Sequence, residues 1–257
     1  MTASDVGHDT EQGAGRRFAG VAGRPAGEPD HRAPLILLNQ VAFGRTMWWP
    51  VLAELRTLDP GRRVFVVDLP GPVRSAAWPS RDIEKVTEGV HRAAEAAALR
   101  SPVVVGHRAA AVVATCYAAR YPARGVINVA QCLRIEPGAG LARSLAAVRS
   151  ARVPYLFITG HELEPGYQDC LDRMLPQASV TIWPDSGDFP QLAHPRRFAR
   201  CLAATAWWGR REAYGSFGAD LRLPSEDATE GKHDDSTDPL RHGPAADRFS
   251  RPAHLAR

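Results

Sequence analysis

The sequence has very little lysine, no closely spaced cysteines and no long hydrophobic segment. Lys85 and Lys232 are its only lysines, so arginine carries almost all of the positive charge in a chain of net charge +4. No basic stripe with interleaved aromatic residues accompanies these arginines, so we expect no nucleic-acid partner. The four cysteines lie far apart and form no C-x-x-C pair, which argues against zinc and dithiol redox motifs.

Hydrophobic segments of the length that a membrane requires are also missing. The first ten residues are polar and contain no apolar core of a signal peptide. The longest apolar run, 109–119, is well short of the ~20 residues that span a bilayer. We therefore expect a cytoplasmic protein without a membrane partner, and scattered free cysteines fit such a reducing compartment.

What the sequence does contain is an alternation of short apolar runs and helical patterns. Apolar runs that predict buried strands lie at 34–38, 63–67, 102–105, 125–130, 153–159 and 178–183. Helical patterns lie at 47–56, 82–99, 109–120, 138–150, 166–175 and 195–208. The alternation predicts an α/β domain with a doubly wound, mostly parallel sheet and helices on both faces.

The two ends of the chain differ in composition from this central part. Residues 1–33 are rich in Gly, Asp, Arg and Ala and lack periodicity, apart from an edge-strand candidate at 18–21. Residues 212–257 are charged and have few large aliphatic side chains. Such segments bury too little apolar surface to offset the entropy of ordering. We therefore expect a disordered arm at 1–33, a folded domain at 34–211 and a disordered tail at 212–257.

Five segments, in order along the chain, resemble motifs of the α/β-hydrolase superfamily. They are Pro34–Leu38 with Trp48–Leu52, Val66–Gly71, Gly106–Ala110, Val153–Gly160 and Ser186–Pro195. The third resembles the nucleophile elbow, a strand, turn and helix with the sequence G-x-S-x-G. The resemblance implies the fold of that superfamily. The short interval between Arg108 and Asp188 further implies a domain without a sizeable cap.

The positions that carry catalysis in that superfamily hold other residues here. Arg108 stands where the resemblance implies the nucleophilic serine, and Asp188 stands where it implies the histidine base. The position of the catalytic acid falls on Leu163, and Asn39 with Gln40 replaces the His-Gly pair of the oxyanion loop. Without a nucleophile and a base, the usual acyl-enzyme chemistry is unavailable.

A guanidinium and a carboxylate at the serine and histidine positions suit an ion pair. We expect Arg108 to pair with Asp188, in one of two roles. The pair either fills a site that has lost its chemistry, or Arg108 binds an anionic ligand near the Ala109 amide and the helix start. An arginine in the strained elbow conformation costs on the order of 1–3 kcal/mol. The turn has therefore relaxed, or the arginine is retained for a function.

Four further residues are candidates for the site. His161, with Glu164 close by, is either a displaced acid/base pair or a solvated loop histidine. His107 is either a packed core histidine or a ligand contact. Asn39 and Gln40 are either amide donors for a carbonyl oxygen or turn residues. Because no H-x-H or H-E-x-x-H spacing occurs, we expect no metal and no cofactor.

Together these residues predict an α/β-hydrolase-fold pseudoenzyme that binds a small anionic or acyl ligand or performs an atypical step in bacterial specialised metabolism. One alternative is a divergent hydrolase of esters, lactones or thioesters in which Asp188, His161 or a glutamate activates water directly. Another is a non-catalytic protein that recruits a protein partner through its polar ends. Since one fold hosts many activities, only the site can decide between these functions.

Overall fold

The structure, a computed structural model, describes part of the 257-residue chain. The described residues are 20–21, 32–39, 44–69, 80–130 and 139–208. The predicted tail, most of the predicted arm and Gln40 lie outside the described residues. The end of the second motif, from Pro70 onward, lies outside them as well.

The described strands form a single sheet. Their bounds are β1 Gly20–Val21, β2 Leu35–Asn39, β3 Val64–Asp68, β4 Val103–His107, β5 Gly125–Val129, β6 Tyr155–Thr159 and β7 Ala178–Ile182. The order across the sheet is β1-β3-β2-β4-β5-β6-β7, and β2 to β7 are parallel. The short β1 pairs antiparallel with β3 at one edge and falls within the edge-strand candidate at 18–21. The predicted mostly parallel sheet is therefore confirmed.

Helices connect the parallel strands. Their bounds are α1 Trp49–Leu58, α2 Ser80–Ala96, α3 Ala110–Arg120, α4 Ala139–Ser150, α5 Tyr167–Met174, α6 Pro190–Ala193 and α7 Pro195–Ala204. Short 3-10 turns at Arg45–Trp48 and Thr205–Trp207 precede α1 and follow α7. The elements between α3 and β7 leave no room for a cap domain within the described residues, which agrees with the prediction.

Both faces of the sheet are covered, which explains its uninterrupted apolar strands. Alternate residues such as Ile36 and Val104 pack in one core cluster with side chains of α2, α3 and α4. Their neighbours Leu37 and Val105 point to the other face and are also fully buried. That second face holds α1 and α7, where Phe198 contacts the rings of two tryptophans. Strands buried on both faces need apolar side chains at successive positions.

The described helices are short in comparison with the length that a membrane span requires. No helix among the described residues is long and apolar enough to cross a bilayer. The longest, α2, has 17 residues and carries charged side chains along its length. A spanning helix needs ~20 predominantly apolar residues.

Candidate functional site

The predicted elbow is a two-residue turn between β4 and α3. Arg108 and Ala109 make the whole connection, and the backbone N–H of Arg108 bonds to the Val129 carbonyl of β5 at 2.7 Å. Arg108 has φ of 52°, in the left-handed region that residues other than glycine rarely adopt. Gly106 permits the tight turn, since a Cβ there would overlap the backbone of Ala110. The strained elbow conformation is therefore kept, with an arginine at its apex.

Arg108 and Asp188 form the ion pair that the sequence predicts at these positions. Nη1 of Arg108 donates a hydrogen bond to Oδ2 of Asp188, and both side chains are 40% exposed. At this exposure an ion pair typically contributes ~0–1 kcal/mol to stability. Stability gained from the pair therefore does little to explain why a strained arginine occupies this position.

The carboxylate of Asp188 also contacts His161. Nε2 of His161 lies 3.2 Å from Oδ1 of Asp188, and the imidazole is 58% exposed. Asp188 thus bridges a guanidinium and an imidazole, and we call Arg108, Asp188 and His161 the Arg–Asp–His trio. In a serine hydrolase the histidine lies between the nucleophile and the acid. Here the acid lies in the middle and the histidine at the end.

Two glycines bring His161 and Asp188 together. Gly160 at the end of β6 and Gly187 in the loop after β7 form an isolated antiparallel bridge. A Cβ on Gly160 would overlap the backbone nitrogen and oxygen of Gly187, so no other residue allows this approach. His161 and Asp188 follow directly after these glycines. The close backbone contact therefore sets the position of both side chains.

His107, at the end of β4, contacts the backbone of the trio. Its ring is fully buried, and Nε2 lies 2.8 Å from the carbonyl oxygen of Asp188. A carbonyl only accepts, so Nε2 carries the hydrogen and donates it. Burial, helped by the charge of Arg108, lowers the pKa of His107 to about 4, although the bond to the Asp188 carbonyl partly opposes the shift. His107 is therefore a neutral, buried residue that holds the loop of Asp188, and its contact with a ligand stays a prediction.

Asn39 is engaged in a separate polar cluster. It ends β2 in register with Asp68 of β3, and its Nδ2 donates to Oδ1 of Asp68 at 2.9 Å. Nε of Arg45 lies 3.1 Å from Oδ2 of the same carboxylate. Asn39 is fully buried, so its amide nitrogen is directed to Asp68 and not to a ligand beside Arg108. The Arg45–Asp68 pair is not predicted from the sequence, since Arg45 lies outside the five segments that resemble the superfamily.

The structure does not bring the remaining candidates into the trio. Glu164 is exposed and forms no ion pair within the described residues, so His161 pairs with Asp188 and not with this glutamate. Leu163 packs against Phe157 and other residues of a small apolar cluster. Ala109 is partly exposed at the start of α3.

The trio offers few ligands to a metal ion. His161 and Asp188 are its only metal-binding side chains, and the guanidinium of Arg108 places a positive charge beside them. Across the described ranges, no group of three or more His, Cys, Asp or Glu residues is arranged to hold a metal. The groups present are suited to hydrogen bonding and to the pairing of charges.

Solved structures share this architecture, although no protein-family model and no curated protein matches the chain. A CIB-like hydrolase from Thermoplasma acidophilum has a TM-score of 0.54 at 17% identity, covering 69% of this chain and 87% of its own. The haloalkane dehalogenase DatA from Agrobacterium tumefaciens C58 has a TM-score of 0.53 at 15% identity, covering 67% and 88%. The naproxen esterase of Bacillus subtilis has a TM-score of 0.52 at 13% identity, covering 68% and 84%.

These similar proteins differ in the reactions that their names give, and their identity to this chain is low. Such a likeness establishes an architecture and not an activity. The chain therefore has the α/β-hydrolase fold.

Proposed function

We propose that the chain binds a small anionic ligand at the Arg–Asp–His trio and forms no acyl-enzyme. The observation that carries the proposal is the pairing of Arg108 with Asp188 at the elbow. These are the positions where a serine hydrolase of this fold has its nucleophile and base. Two charged side chains bonded to each other there leave no hydroxyl or thiol that could attack a carbonyl carbon, so no acyl-enzyme can form.

The guanidinium has hydrogen-bonding capacity beyond its bond to Asp188. An arginine side chain carries five N–H donors, and the bond to Asp188 uses Nη1. Since Arg108 is 40% exposed, the other edge of the guanidinium is accessible to a carboxylate or phosphate. Ala109 follows at the start of α3, where the helix dipole also favours negative charge. These features support an anion as the ligand.

A second candidate function rests on the contact between His161 and Asp188. A carboxylate that bonds one imidazole nitrogen holds the ring in place, and the other nitrogen can then accept a proton from water. With Arg108 beside the reacting carbonyl, such a pair would hydrolyse an ester or lactone without an acyl-enzyme. The 58% exposure of His161 weighs against this second function, because a solvent-exposed site stabilises the charge of a transition state less strongly.

One experiment separates the two functions. Acetate, butyrate, benzoate and phosphate are titrated calorimetrically into the parent chain and Arg108→Gln, and p-nitrophenyl esters are assayed with both. We expect an anion to bind the parent chain, the affinity to fall roughly tenfold in Arg108→Gln, and no ester turnover above background. Arg56→Gln, an exposed change of the same charge on α1, controls for net charge. Ester turnover that His161→Gln and Asp188→Asn abolish would instead establish the hydrolase.

A reconstruction tests whether the trio alone accounts for the missing hydrolysis. The triple variant Arg108→Ser, Asp188→His, His161→Asp restores a nucleophile, a base and an acid in their usual order. We expect it to hydrolyse p-nitrophenyl acetate measurably above the parent chain. If the triple variant folds and stays inactive, other parts of the site have also lost the capacity for hydrolysis.

A further inference from the structure

A second concavity lies away from the trio, among the helices α2, α3 and α4 that cover one face of the sheet. It is a cavity of about 200 Å³ between α2, α3 and α4, and it is half open to solvent. Its walls are mixed, and their apolar part includes Val112 on α3 and Leu141 and Ala147 on α4. A space of ~10–15 Å³ by this measure already holds one water, so the cavity has room for a chain of several heavy atoms. The cavity is thus large enough for a short aliphatic chain.

The polar residues of this cavity are predominantly cationic. Arg120 on α3 and Arg143 on α4 both line it, and Glu84 on α2 is the acidic residue among the lining side chains. Nη2 of Arg120 lies 2.6 Å from Oε1 of Glu84, so these two charges compensate each other. Arg143 is exposed and forms no ion pair with any described residue. The lining therefore has one uncompensated positive charge beside an apolar wall.

From this pattern we infer that the cavity between α2, α3 and α4 binds a short aliphatic carboxylate. Its chain packs against Val112, Leu141 and Ala147, and its carboxylate bonds to Arg143. An apolar wall with few placed polar groups is the usual composition of a small-molecule site. A cation would be repelled by Arg143, and a neutral alcohol would forgo the charge-assisted hydrogen bond. The inference concerns a different site from the trio and does not depend on the proposed function.

Cys116 gives a local reporter of this cavity. Its thiol lines the space, lies 3.4 Å from the Ser144 hydroxyl and has 8% of its surface exposed. Burial raises the pKa of the Cys116 thiol, so it reacts slowly and at alkaline pH. Cys170 and Cys201 are also buried free thiols, and neither lines the cavity. The peptides that contain Cys116, Cys170 and Cys201 can be followed separately from one another, and from that of Cys132, in one digest by mass spectrometry.

The test measures the alkylation rate of Cys116 by iodoacetamide in the folded protein, with hexanoate or 1-hexanol added. We expect saturating hexanoate to slow alkylation of Cys116 several-fold, to leave Cys170 and Cys201 unchanged, and to act at roughly tenfold lower concentration than hexanol. The inference fails if hexanoate does not change the Cys116 rate, or if hexanol protects at the same concentration.

Four variants assign the effect to this cavity. Arg143→Gln should weaken hexanoate protection roughly tenfold, and Ala147→Leu should abolish it by filling the space, with thermal unfolding confirming that both variants fold. Arg56→Gln and Arg108→Gln should leave protection unchanged. Loss of protection in Arg108→Gln would assign the effect to the trio and overturn the inference, whereas its retention there keeps the two sites distinct.

Discussion

The buried imidazole of His107 donates a hydrogen bond to the main-chain carbonyl of Asp188 over 2.8 Å. The bond joins the end of β4 to the loop after β7, next to the ion pair of Arg108 and Asp188. Only the neutral ring with its hydrogen on Nε2 satisfies this bond without burying a charge. Protonation of the ring keeps this bond, because Nε2–H still donates, but it places a positive charge in the core close to Arg108.

The low pKa of His107 predicts a loss of stability in acid. The pKa is about 4 in the folded chain against 6.5 for an exposed histidine, so the unfolded chain binds the proton at higher pH. The contribution of His107 to the free energy of unfolding is fully present above about pH 6.5 and falls as the pH drops toward 4. The total loss amounts to about 3 kcal/mol. Urea unfolding at a series of pH values across this window measures the slope.

The variant His107→Gln isolates this contribution. A glutamine amide can still donate to the carbonyl of Asp188, but it does not titrate. We expect a smaller decline in unfolding free energy between neutral pH and pH 4 for His107→Gln than for the parent chain. Equal declines in the two proteins would show that other groups cause the acid sensitivity.

The backbone conformation of Arg108 predicts a difference in stability between two small substitutions at the elbow. Arg108→Gly and Arg108→Ala both remove the ion pair with Asp188, and only glycine adopts φ of 52° without a steric penalty. We expect the glycine variant to be more stable than the alanine variant by about 1 kcal/mol, as measured by urea unfolding. If alanine is as stable as glycine, the turn relaxes when the arginine is removed.

The fold was predictable from local patterns in the sequence. Runs such as 102–105 are apolar at every position, which indicates a parallel strand buried on both faces. Such a pattern depends on the neighbouring residues alone. The bounds of the last helix were less predictable, because α7 ends at Ala204 and a 3-10 turn follows. The Thr205 hydroxyl bonds to the Leu202 carbonyl there, an interaction that competes with regular helix geometry.

The site was predictable only where a motif fixed the position of a residue. Arg108 and Asp188 occupy motif positions that meet in the fold, so their contact could be predicted. His161 could not be assigned to Asp188, because a bridge between two glycines far apart in sequence brings them together. The Asp68–Arg45 pair could not be predicted for a related reason, since Arg45 lies outside the five motifs.

The close contact at Gly160 predicts that its replacement by alanine strongly lowers stability. In Gly160→Ala the new methyl group overlaps the backbone of Gly187, so the bridge between β6 and the loop has to open. We expect a loss of stability of about 1–3 kcal/mol and weaker anion binding, since His161 and Asp188 move apart. Thermal unfolding and calorimetric titration measure the two effects.

Gly166→Ala provides the matched control for that substitution. Gly166 has φ of 81° at the start of α5, and a Cβ there meets open space. Its replacement should cost about 1 kcal/mol through backbone strain and leave anion binding unchanged. If Gly160→Ala binds the anion as well as Gly166→Ala does, the glycine bridge does not position the trio.

A buried charge network lies just before the amino ends of β2 and β3. It predicts that substitutions of its two charged residues have non-additive effects on stability. Nη1 of Arg62 lies 2.9 Å from Oδ2 of Asp59, and its side chain also bonds to the Ala33 carbonyl and the Thr205 hydroxyl. Arg62→Met leaves Asp59 nearly buried with Arg32 as its remaining ion-pair partner. Removing one partner of a buried pair typically costs about 3–5 kcal/mol, and we expect the lower end here.

The double variant Arg62→Met, Asp59→Leu should recover much of that loss. It removes both charges together, so no carboxylate is left in a poorly solvated position without its arginine. A double-mutant cycle by urea unfolding measures the coupling, and Arg56→Met, an exposed change on α1, controls for the loss of an arginine. Additive losses in the double variant would show that Arg62 stabilises the chain through the Ala33 and Thr205 bonds instead of through Asp59.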